Sequence, residues 1–313
     1  MTALILDCDT GIDDAMAIFY AAGNGADIVA CTVTHGNVPV QVGARNTITI
    51  LDAMGLTDVP VHQGAGRPMA QPLQTAEFVH GQDGLGDAGV PASSRALAGT
   101  LAAVEIVRLA RERPAELTLV AVGPLTNVGV ALLLEPQLPD LLRGVVLMGG
   151  ASGVPGNASE TGEANVWHDP EAAQLVVDAP WDVLFVGLEI TMTTALPDTA
   201  IARLQMSDDP RARLVWRLMQ HYLDVYEPIM GRRTCVLHDP LAVALALDPT
   251  LATYRLVRAN VELRGTHSRG QVVTDLRGLD PAPTDPRSPG VIRVVDTLDL
   301  DRFHARFLTA LGA

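Results

Sequence analysis

An apolar run leads directly into four aspartates near the start of the chain, in the segment Leu4-Ile5-Leu6-Asp7-Cys8-Asp9-Thr10-Gly11-Ile12-Asp13-Asp14. The apolar residues predict a buried strand, Gly11 permits a sharp turn, and the residues after Asp14 predict a helix. Negative charges this close repel one another, by about 1 kcal/mol per pair at a separation of roughly 4 Å in water. The cluster therefore predicts a site where a cation, protons or hydrogen-bond donors compensate the charge.

Carboxylate oxygens are the ligands that Ca²⁺ and Mg²⁺ prefer, so a divalent metal ion is one candidate partner of the cluster. The simpler interpretation is a solvated helix N-terminus, where aspartate is favoured as a cap and as a partner of the helix dipole. That interpretation accounts for Asp13 or Asp14. It does not account for Asp7 and Asp9 at the end of an apolar strand, so a metal or catalytic site is favoured.

Length and composition limit the classes of protein to consider. With 313 residues the chain is long enough for a large core, and we expect one α/β domain over residues 1–313. Apolar residues make up 48% and aromatic residues only 4%, so small aliphatic side chains must fill that core. The formal net charge is −14, and no basic run is present, which argues against nucleic-acid partners and anionic membranes.

Cysteine and lysine usage narrows the choice further. The three cysteines, Cys8, Cys31 and Cys235, form no CxxC pair, which is typical of a reduced, cytoplasmic protein. We find no signal-peptide pattern and no apolar run of membrane length. All 22 basic residues are arginine. Mechanisms that need a Schiff-base lysine or a P-loop lysine are therefore excluded.

Strand and helix patterns alternate along the chain. Apolar, β-branched runs predict buried strands at residues 3–6, 28–34, 117–122, 145–148 and 183–186. Helical patterns lie at residues 13–22, 42–54, 96–111, 127–134, 170–177, 211–226, 240–246 and 300–311. This alternation predicts a Rossmann-like open α/β fold, with a mostly parallel central sheet and helices on both faces. Residues 63–94 and 151–165 lack periodicity and are predicted to be binding loops.

Polar residues follow the predicted strands at the point where each strand ends. Asp7 and Asp9 end the first strand, and His35-Gly36-Asn37 ends the second. Gly123-Pro124-Leu125-Thr126-Asn127 follows the third strand, and Gly149-Gly150 follows the fourth. Because parallel strands share one carboxyl edge, where open α/β folds bind ligands, these groups are expected to converge on one site.

Taken in order, these motifs resemble those of the inosine–uridine-preferring nucleoside hydrolase family over nearly the whole chain. That family has D-x-D-x-G-x-D-D, G-N, G-P-L-T-N, M-G-G, a second G-N, E-x-N, D-P-E-A-A and H-D-P. The matching positions are 7–14, 36–37, 123–127, 148–150, 156–157, 163–165, 169–173 and 238–240. Each motif alone is weak, whereas their common order over residues 7–240 is specific.

The resemblance implies calcium-dependent hydrolysis of the N-glycosidic bond of ribonucleosides to free base and ribose, with a water molecule on the metal as nucleophile. The implied calcium ligands are Asp9, Asp14, the backbone carbonyl of Thr126 and Asp239. Asp9 is also the implied general base, Asn37 orients the water, Asp7 supports the site and His238 protonates the leaving base. The implied ribose-binding residues are Asp13, Asn157, Glu163, Asn165 and Asp239, and His80 lies on a loop that closes over the substrate.

Such a residue set suits the chemistry, because positive charge develops on the sugar as the glycosidic bond breaks and nearby carboxylates stabilise it. The base preference is less determined. Residues 63–94 contain no tryptophan and only Phe78, which with His238 favours the inosine–uridine or pyrimidine type over purine-specific relatives. Tyr222 and Tyr226, about one helical turn apart, are either ordinary packing or stack on the base. His35 is assigned no role. The resemblance also implies a homodimer or homotetramer.

Two alternatives remain open at this point. Haloacid dehalogenase-like phosphatases also begin with an apolar strand and D-x-D, but they give Asp13-Asp14 and His238-Asp239 no role. A non-catalytic nucleoside- or ribose-binding protein would keep the pocket and lose turnover. The release of free ribose separates the first interpretation from both alternatives.

Overall fold

A computed structural model describes residues 2–278 and 282–313. Its nine strands are β1 (Ala3–Cys8), β2 (Asp27–Val33), β3 (Val61–Gln63), β4 (Leu117–Ala121), β5 (Gly144–Met148), β6 (Val183–Val186), β7 (Ala252–Val261), β8 (Val272–Thr274) and β9 (Val291–Leu298). They form one sheet in the order β3-β2-β1-β4-β5-β6-β9-β7-β8. The pairs from β3 to β9 are parallel, and β7 pairs antiparallel with both β9 and β8.

Helices cover both faces of this sheet. They are α1 (Ile12–Gly23), α2 (Val40–Ala53), α3 (Glu77–His80), α4 (Ala102–Glu112), α5 (Thr126–Leu134), α6 (Leu138–Leu141), α7 (Ala164–His168), α8 (Pro170–Asp178), α9 (Leu188–Thr191), α10 (Asp198–Met206), α11 (Pro210–Met230), α12 (His238–Leu247) and α13 (Leu300–Ala310). One core cluster packs α1, α2, α11, α12 and α13 on one face, and a second packs α4, α5 and α8 on the other. No helix in the described ranges is long and apolar enough to span a membrane.

Strand β1 lies at the centre of this arrangement. All six of its residues are buried, and successive side chains enter opposite cores, with Leu4 and Leu6 in one cluster and Ile5 in the other. The chain runs outward from β1 through β2 to β3 on one side, and from β4 through β5 to β6 on the other. The strand order therefore reverses between β1 and β4, which is where open α/β sheets bind ligands.

The predicted fold class is confirmed, as are the five predicted strands to within two residues at their ends. The predicted helix over residues 96–111 begins later, at Ala102, because the preceding segment pairs with β3 instead: Ala98 N–H donates to the Val61 carbonyl over 2.9 Å. Strands β3 and β7 to β9 were not predicted. β7 alternates exposed and buried residues as an outer antiparallel strand does, rather than forming a continuous apolar run.

Candidate active site

The turn after β1 is shaped by Asp14 and by a glycine. Asp14 accepts hydrogen bonds from the backbone N–H groups of Asp9 and Gly11, at 3.0 and 2.8 Å. In a helix capping box, the side chain three residues after the N-cap accepts the backbone N–H of the N-cap residue. The bond from Gly11 N–H to Asp14 is this contact, which explains why an acidic residue is favoured at position 14. A β-carbon at Gly11 would overlap His80 and come within 2.7 Å of the Asn37 amide nitrogen. The sharp turn therefore brings three separate segments together.

Asn37, which follows β2, ties two of the aspartates into one unit. Its backbone N–H donates to Asp9 Oδ2 over 2.7 Å, and its side-chain nitrogen donates to Asp14 Oδ2 over 3.0 Å. Gly36 allows this approach, since a β-carbon there would overlap Asp9 Oδ2. The second oxygen of Asp9, Oδ1, is buried and has no hydrogen-bond partner in the described residues. Asp9 therefore has one oxygen that is held and one that is available to a ligand.

Asp13 and His80 face each other where α1 begins. Asp13 Oδ2 accepts a hydrogen bond from the Tyr222 hydroxyl at 3.1 Å, while its Oδ1 is buried and unpartnered in the described residues. His80 Nδ1 lies 3.8 Å from Asp13 Oδ1. The two do not form an ion pair, because the same nitrogen accepts the Ile12 N–H at 3.1 Å and so carries no proton. Burial lowers the pKa of His80 to about 3, which leaves Nε2–H as its donor.

Asp239, the second residue of α12, completes the acidic cluster. Oxygens of Asp13, Asp14 and Asp239 all lie within 4.8 Å of one another, and all three residues are buried. Among residues 2–278 and 282–313, every ion pair that an arginine makes involves other carboxylates. Converging carboxylates with unpartnered oxygens and no basic partner fit a hard divalent cation.

Burial raises the pKa of every carboxylate in this region. The pKa values of Asp9 and Asp239 rise well above their usual range, and repulsion from neighbouring carboxylates adds to the effect of burial. Burial raises the pKa of Asp13 and brings those of Asp14 and Glu163 to about 7. These directions describe the protein without a cation. A bound divalent ion would favour the ionised forms and reverse this trend.

Asp7 lies beneath the cluster and is bonded to neighbouring strand ends. Its Oδ1 accepts the Thr32 hydroxyl at 2.6 Å and the Asn127 amide at 2.8 Å. Asn127 in turn accepts the Ala65 N–H at 2.9 Å. Asp7 is fully buried, and burial raises its pKa to about 7. Its contacts join the ends of β1, β2 and β4, consistent with the supporting role expected from the sequence.

Thr126, the first residue of α5, is held by its side chain. Its hydroxyl donates to Asp169 Oδ2 over 2.7 Å and lies 3.0 Å from His35 Nε2. Asp169 caps α8 by accepting the Ala172 N–H at 3.1 Å. Thr126 is 2% exposed, and both of its partners are fully buried. Hydrogen bonds therefore connect His35, Thr126 and Asp169 beneath the strand ends, and the family resemblance implies that the Thr126 carbonyl is a metal ligand.

Glu163 and Asn165 lie in the second long loop and at the start of α7. Glu163 caps α7 and also accepts the Gly150 N–H at 2.8 Å. Asn165 donates its side-chain N–H groups to the carbonyls of Val122 and Met148, at 2.9 and 3.0 Å. Its side-chain oxygen is therefore the atom that it can offer to a ligand.

The first residue of α12, His238, is bonded at both ring nitrogens. Nε2 lies 2.6 Å from the Tyr226 hydroxyl, and Nδ1 lies 2.8 Å from the Thr191 hydroxyl. Burial lowers its pKa to about 4, although the nearby Asp13 opposes that shift. Tyr222 packs edge-on against Tyr226 with ring centroids 4.8 Å apart. A buried chain of polar aromatic groups thus reaches from His238 towards Asp13.

A subset of these residues lines a cavity of about 270 Å³. Its buried lining includes Asp13, His80, Glu163, Asn165, His238 and Asp239. Its outer lining includes Phe78 and Ile229, which are 76% and 60% exposed, together with the exposed Asn157. The cavity therefore has a polar, acidic floor and a partly apolar rim.

The three carboxylates whose oxygens lie within 4.8 Å of one another are the expected metal ligands Asp14 and Asp239 together with Asp13, which the resemblance assigned to ribose, so the expected ligand Asp9 is not a member of that group. Asp9 and Asp14 lie below the cavity, bonded to Asn37, which lines it. Two features were not predicted: the bonds of Tyr222 and Tyr226 to Asp13 and His238, and the contact between His35 and Thr126. The four-residue spacing of the tyrosines was visible in the sequence, but it did not identify their partners.

Comparison with known proteins agrees with this geometry. Residues 4–305 match a family model described as inosine-uridine preferring nucleoside hydrolase. The chain is 34% identical over 311 residues to a protein of that name from Crithidia fasciculata, covering 98% of this chain and 96% of the relative. It is 37% identical over 279 residues to the pyrimidine-specific ribonucleoside hydrolase RihA of Shewanella woodyi, covering 88% and 89%. A solved plant nucleoside hydrolase, PpNRh1, superposes with a TM-score of 0.93 at 30% identity, covering 100% of this chain and 99% of that chain.

Proposed function

Since the chain belongs to the inosine–uridine preferring nucleoside hydrolase family and is an enzyme that hydrolyses ribonucleosides, we propose that the acidic floor of its cavity binds calcium for this reaction. The proposed ligands are Asp9, Asp14, Asp239 and the Thr126 carbonyl. The observation that carries the proposal is the convergence of buried carboxylates, three of them with oxygens within 4.8 Å, beside the unpartnered Asp9 Oδ1. A bound Ca²⁺ would polarise a water molecule and balance the charge of the cluster.

Asp9 is the proposed general base. Its Oδ2 is fixed by the Asn37 N–H, so the buried Oδ1 is the acceptor for a proton from the attacking water. Asn37 contacts both Asp9 and Asp14 and lines the cavity, which suits the proposed role of orienting that water. The remaining carboxylates face the sugar, where they stabilise the positive charge that develops as the glycosidic bond breaks.

His238 is the proposed source of the proton for the leaving base; because burial lowers its pKa to about 4, the imidazolium that donates this proton is the minor form at neutral pH. Both of its ring nitrogens are bonded, to Tyr226 and Thr191, so the contact with the base is made through the Tyr226 hydroxyl or after that bond exchanges. Tyr226 also lines the cavity. The pair therefore forms a donor on the side of the cavity that lies nearest α11, with Tyr226 adding a partner that the sequence did not identify.

Ribose recognition is proposed for Asp13, Asn157, Glu163, Asn165 and Asp239. Asp13 offers its unpartnered Oδ1, and Asn165 offers its side-chain oxygen because its N–H groups are already used. Asn157 lies at the exposed rim, where its Oδ1 accepts the Ala164 N–H at 2.9 Å. His80 faces the same space and is proposed to contact the substrate through Nε2–H.

We propose that the preferred bases are those of inosine and uridine, or pyrimidines more generally. The named relatives include an inosine-uridine preferring and a pyrimidine-specific enzyme. The rim has an exposed phenylalanine, Phe78, where stacking on a base is possible without a deep aromatic slot. Parallel assays with uridine, cytidine, inosine and adenosine test this proposal, and a clear preference for adenosine would overturn it.

The decisive experiment measures free ribose from uridine and inosine before and after chelation of divalent ions. Activity should fall at least tenfold in excess EDTA and return on addition of Ca²⁺. Full activity in EDTA would contradict the metal proposal. Phosphate release from an aryl phosphate serves as the control, since a phosphatase of the dehalogenase type would give that product instead.

We also propose a cellular location and an oligomeric state. The three cysteines are all free and buried, which supports a reduced, cytoplasmic setting. The family resemblance implies a homodimer or homotetramer, and Leu101, Leu133 and Leu134, which are 65%, 64% and 53% exposed, are apolar side chains that a subunit interface would cover. Light scattering after size exclusion measures the subunit number directly, and a monomer at micromolar concentration would contradict the proposal.

A further inference from the structure

We propose that His35 is a positioning residue, which clamps the end of β2 to the start of α5 and so holds Thr126 in place for the calcium site. The inference rests on the proposed function, because Thr126 matters here as a proposed ligand through its carbonyl. His35 does not line the cavity, and the one side-chain hydrogen bond that it makes within the described residues is to Thr126. Its side chain therefore acts on the site through Thr126, and its backbone is continuous with Gly36 and Asn37, which contact Asp9.

The hydrogen bonds determine which ring nitrogen of His35 carries the proton. The single hydroxyl hydrogen of Thr126 is used in the 2.7 Å bond to Asp169 Oδ2. The Thr126 oxygen can therefore only accept from His35, whose Nε2 lies 3.0 Å away. His35 is thus the Nε2–H tautomer, and the order of donation runs from His35 to Thr126 to Asp169.

The clamp spans the strand that carries the central aspartates. In the sheet, β1 lies between β2 and β4. His35 follows β2, Thr126 follows β4, and Asp9 follows β1 between them. The side-chain bond from His35 to Thr126 thus connects the two segments that flank Asp9. The backbone of the next two residues, Gly36 and Asn37, passes directly over Asp9, so a shift of this segment would move the contacts of Asp9.

Asp169, the last acceptor in this series of hydrogen bonds, is itself held by backbone groups. Asp169 accepts the Ala172 N–H at 3.1 Å at the start of α8 and the Met69 N–H at 3.0 Å. The backbone N–H of His35 is also fixed, by a 2.9 Å bond to the Ala65 carbonyl. Both ends of the clamp are therefore held by backbone groups, which leaves Thr126 little freedom to turn.

Histidine at position 35 also carries a free-energy penalty that an apolar residue would avoid. The residue is fully buried, and its Nδ1 has no hydrogen-bond partner in the described part of the chain. A buried acceptor without a partner is unfavourable, whereas valine or leucine would fill similar space without that penalty. Packing alone therefore gives no reason for histidine at this position, while the bond to Thr126 does.

The test measures calcium affinity rather than activity. Ca²⁺ is titrated calorimetrically into chelator-treated, full-length protein, and thermal unfolding is followed separately in EDTA. His35→Val removes the donor and should weaken Ca²⁺ binding about tenfold, the effect of one lost buried hydrogen bond. His35→Gln places an amide N–H near the position of Nε2 and should bind within about threefold of the unsubstituted protein.

A matched control comes from His62, another buried histidine at an adjacent strand. It lies on β3, is 4% exposed, and bonds through Nδ1 to the Thr100 carbonyl at 3.0 Å, away from the acidic cluster. His62→Val should lower the unfolding temperature in EDTA as much as His35→Val does, without changing calcium affinity. Thr126→Val should weaken binding at least as much as His35→Val, and combining the two should add little.

The outcomes separate this inference from the proposed function. If the unsubstituted protein and His35→Val bind calcium with equal affinity, the proposed role of His35 is wrong and the proposed calcium site stands. No calcium binding by the unsubstituted protein would overturn both. If His35→Val does not fold, the comparison of His35→Gln with Thr126→Val decides: a loss in the second without a loss in the first supports the clamp, and equal affinities reject it.

Discussion

The floor and the rim of the cavity differ in burial and in charge. We use floor for the lining carboxylates Asp13, Glu163 and Asp239 together with Asp9 and Asp14 beneath them; all five are at most 6% exposed and lie at strand ends and helix starts. The rim, consisting of Phe78, Asn157 and Ile229, is exposed and lies on a four-residue helix, a loop and a helix end. The floor concentrates charge, whereas the rim presents apolar surface.

This difference indicates a division of labour. The bond-breaking step is the same for every ribonucleoside, and it needs groups whose positions do not vary, so it belongs to the floor. The base varies among substrates, and its recognition needs surface that can adjust, so it belongs to the rim. We therefore expect substitutions in the floor to lower kcat strongly and substitutions at the rim to change KM modestly.

The largest effect should come from Asp9→Asn. The substitution keeps an acceptor for the Asn37 N–H and removes the proposed base, so kcat for uridine should fall by about 10³- to 10⁴-fold. Thermal unfolding in EDTA should show equal or higher stability, because a buried charge is removed. Asp27→Asn, at the exposed first residue of β2, is the control and should change neither quantity. If kcat falls by less than tenfold, Asp9 is not the general base.

The second test replaces the substrate instead of the enzyme. If floor carboxylates bind the ribose hydroxyls, 2′-deoxyuridine leaves a buried acceptor without its partner, and kcat/KM should fall by about 10³-fold. The measurement compares uridine with 2′-deoxyuridine under the same conditions. Equal rates would contradict the assignment of the floor to the sugar.

His238→Gln should lower kcat by about 10²- to 10³-fold for substrates with a poor leaving base. The effect should be much smaller with p-nitrophenyl riboside, because its leaving group needs no proton. Tyr226→Phe should follow the same pattern if the 2.6 Å bond to His238 carries the proton. Equal losses on both kinds of substrate would show that the pair acts on structure rather than on proton transfer.

A smaller effect should come from the connection between floor and rim. Asn46 on α2 is 7% exposed, and its side-chain nitrogen donates to the carbonyls of Thr10 and Asp83, at 3.1 and 2.8 Å. It thus links the turn of the floor to the loop that carries His80. Asn46→Ala should lower kcat/KM about tenfold, mainly through KM, with faster hydrogen exchange over residues 76–88. Gln82→Ala, an exposed position on the same loop, should change neither measurement.

Much of the floor could be predicted from the sequence because of one topological rule. The carboxyl ends of parallel strands meet at one edge, so Asp9, Asn37 and Thr126 could be brought together once their strands were identified. The structure then showed that β1 lies where the strand order reverses. The motif spacing then identified Glu163, Asn165 and Asp239 through the family resemblance.

The unpredicted contacts depend on tertiary placement that no local pattern encodes. His35 is 91 residues from Thr126 and Tyr222 is 209 residues from Asp13, and neither pair shares a motif. Strands β3 and β8 were missed because they have only three residues each, and β7 and β9 were missed because neither is a continuous apolar run: β7 alternates exposed and buried residues, and Arg293 interrupts β9. Side-chain hydrogen bonds across segments, rather than the elements themselves, were therefore the information missing from the sequence.

The smallest expected effect is at the rim. Phe78 is 76% exposed and lines the cavity, so Phe78→Ala removes stacking surface without disturbing a buried contact. KM for uridine and inosine should rise about three- to tenfold with kcat within twofold, as expected for loss of roughly 1 kcal/mol of stacking. Leu73→Ala, at a 39% exposed position in the same long loop, is the control and should leave KM unchanged. A large loss of kcat in Phe78→Ala would mean that the rim also takes part in the bond-breaking step, and the division between the two regions would then be wrong.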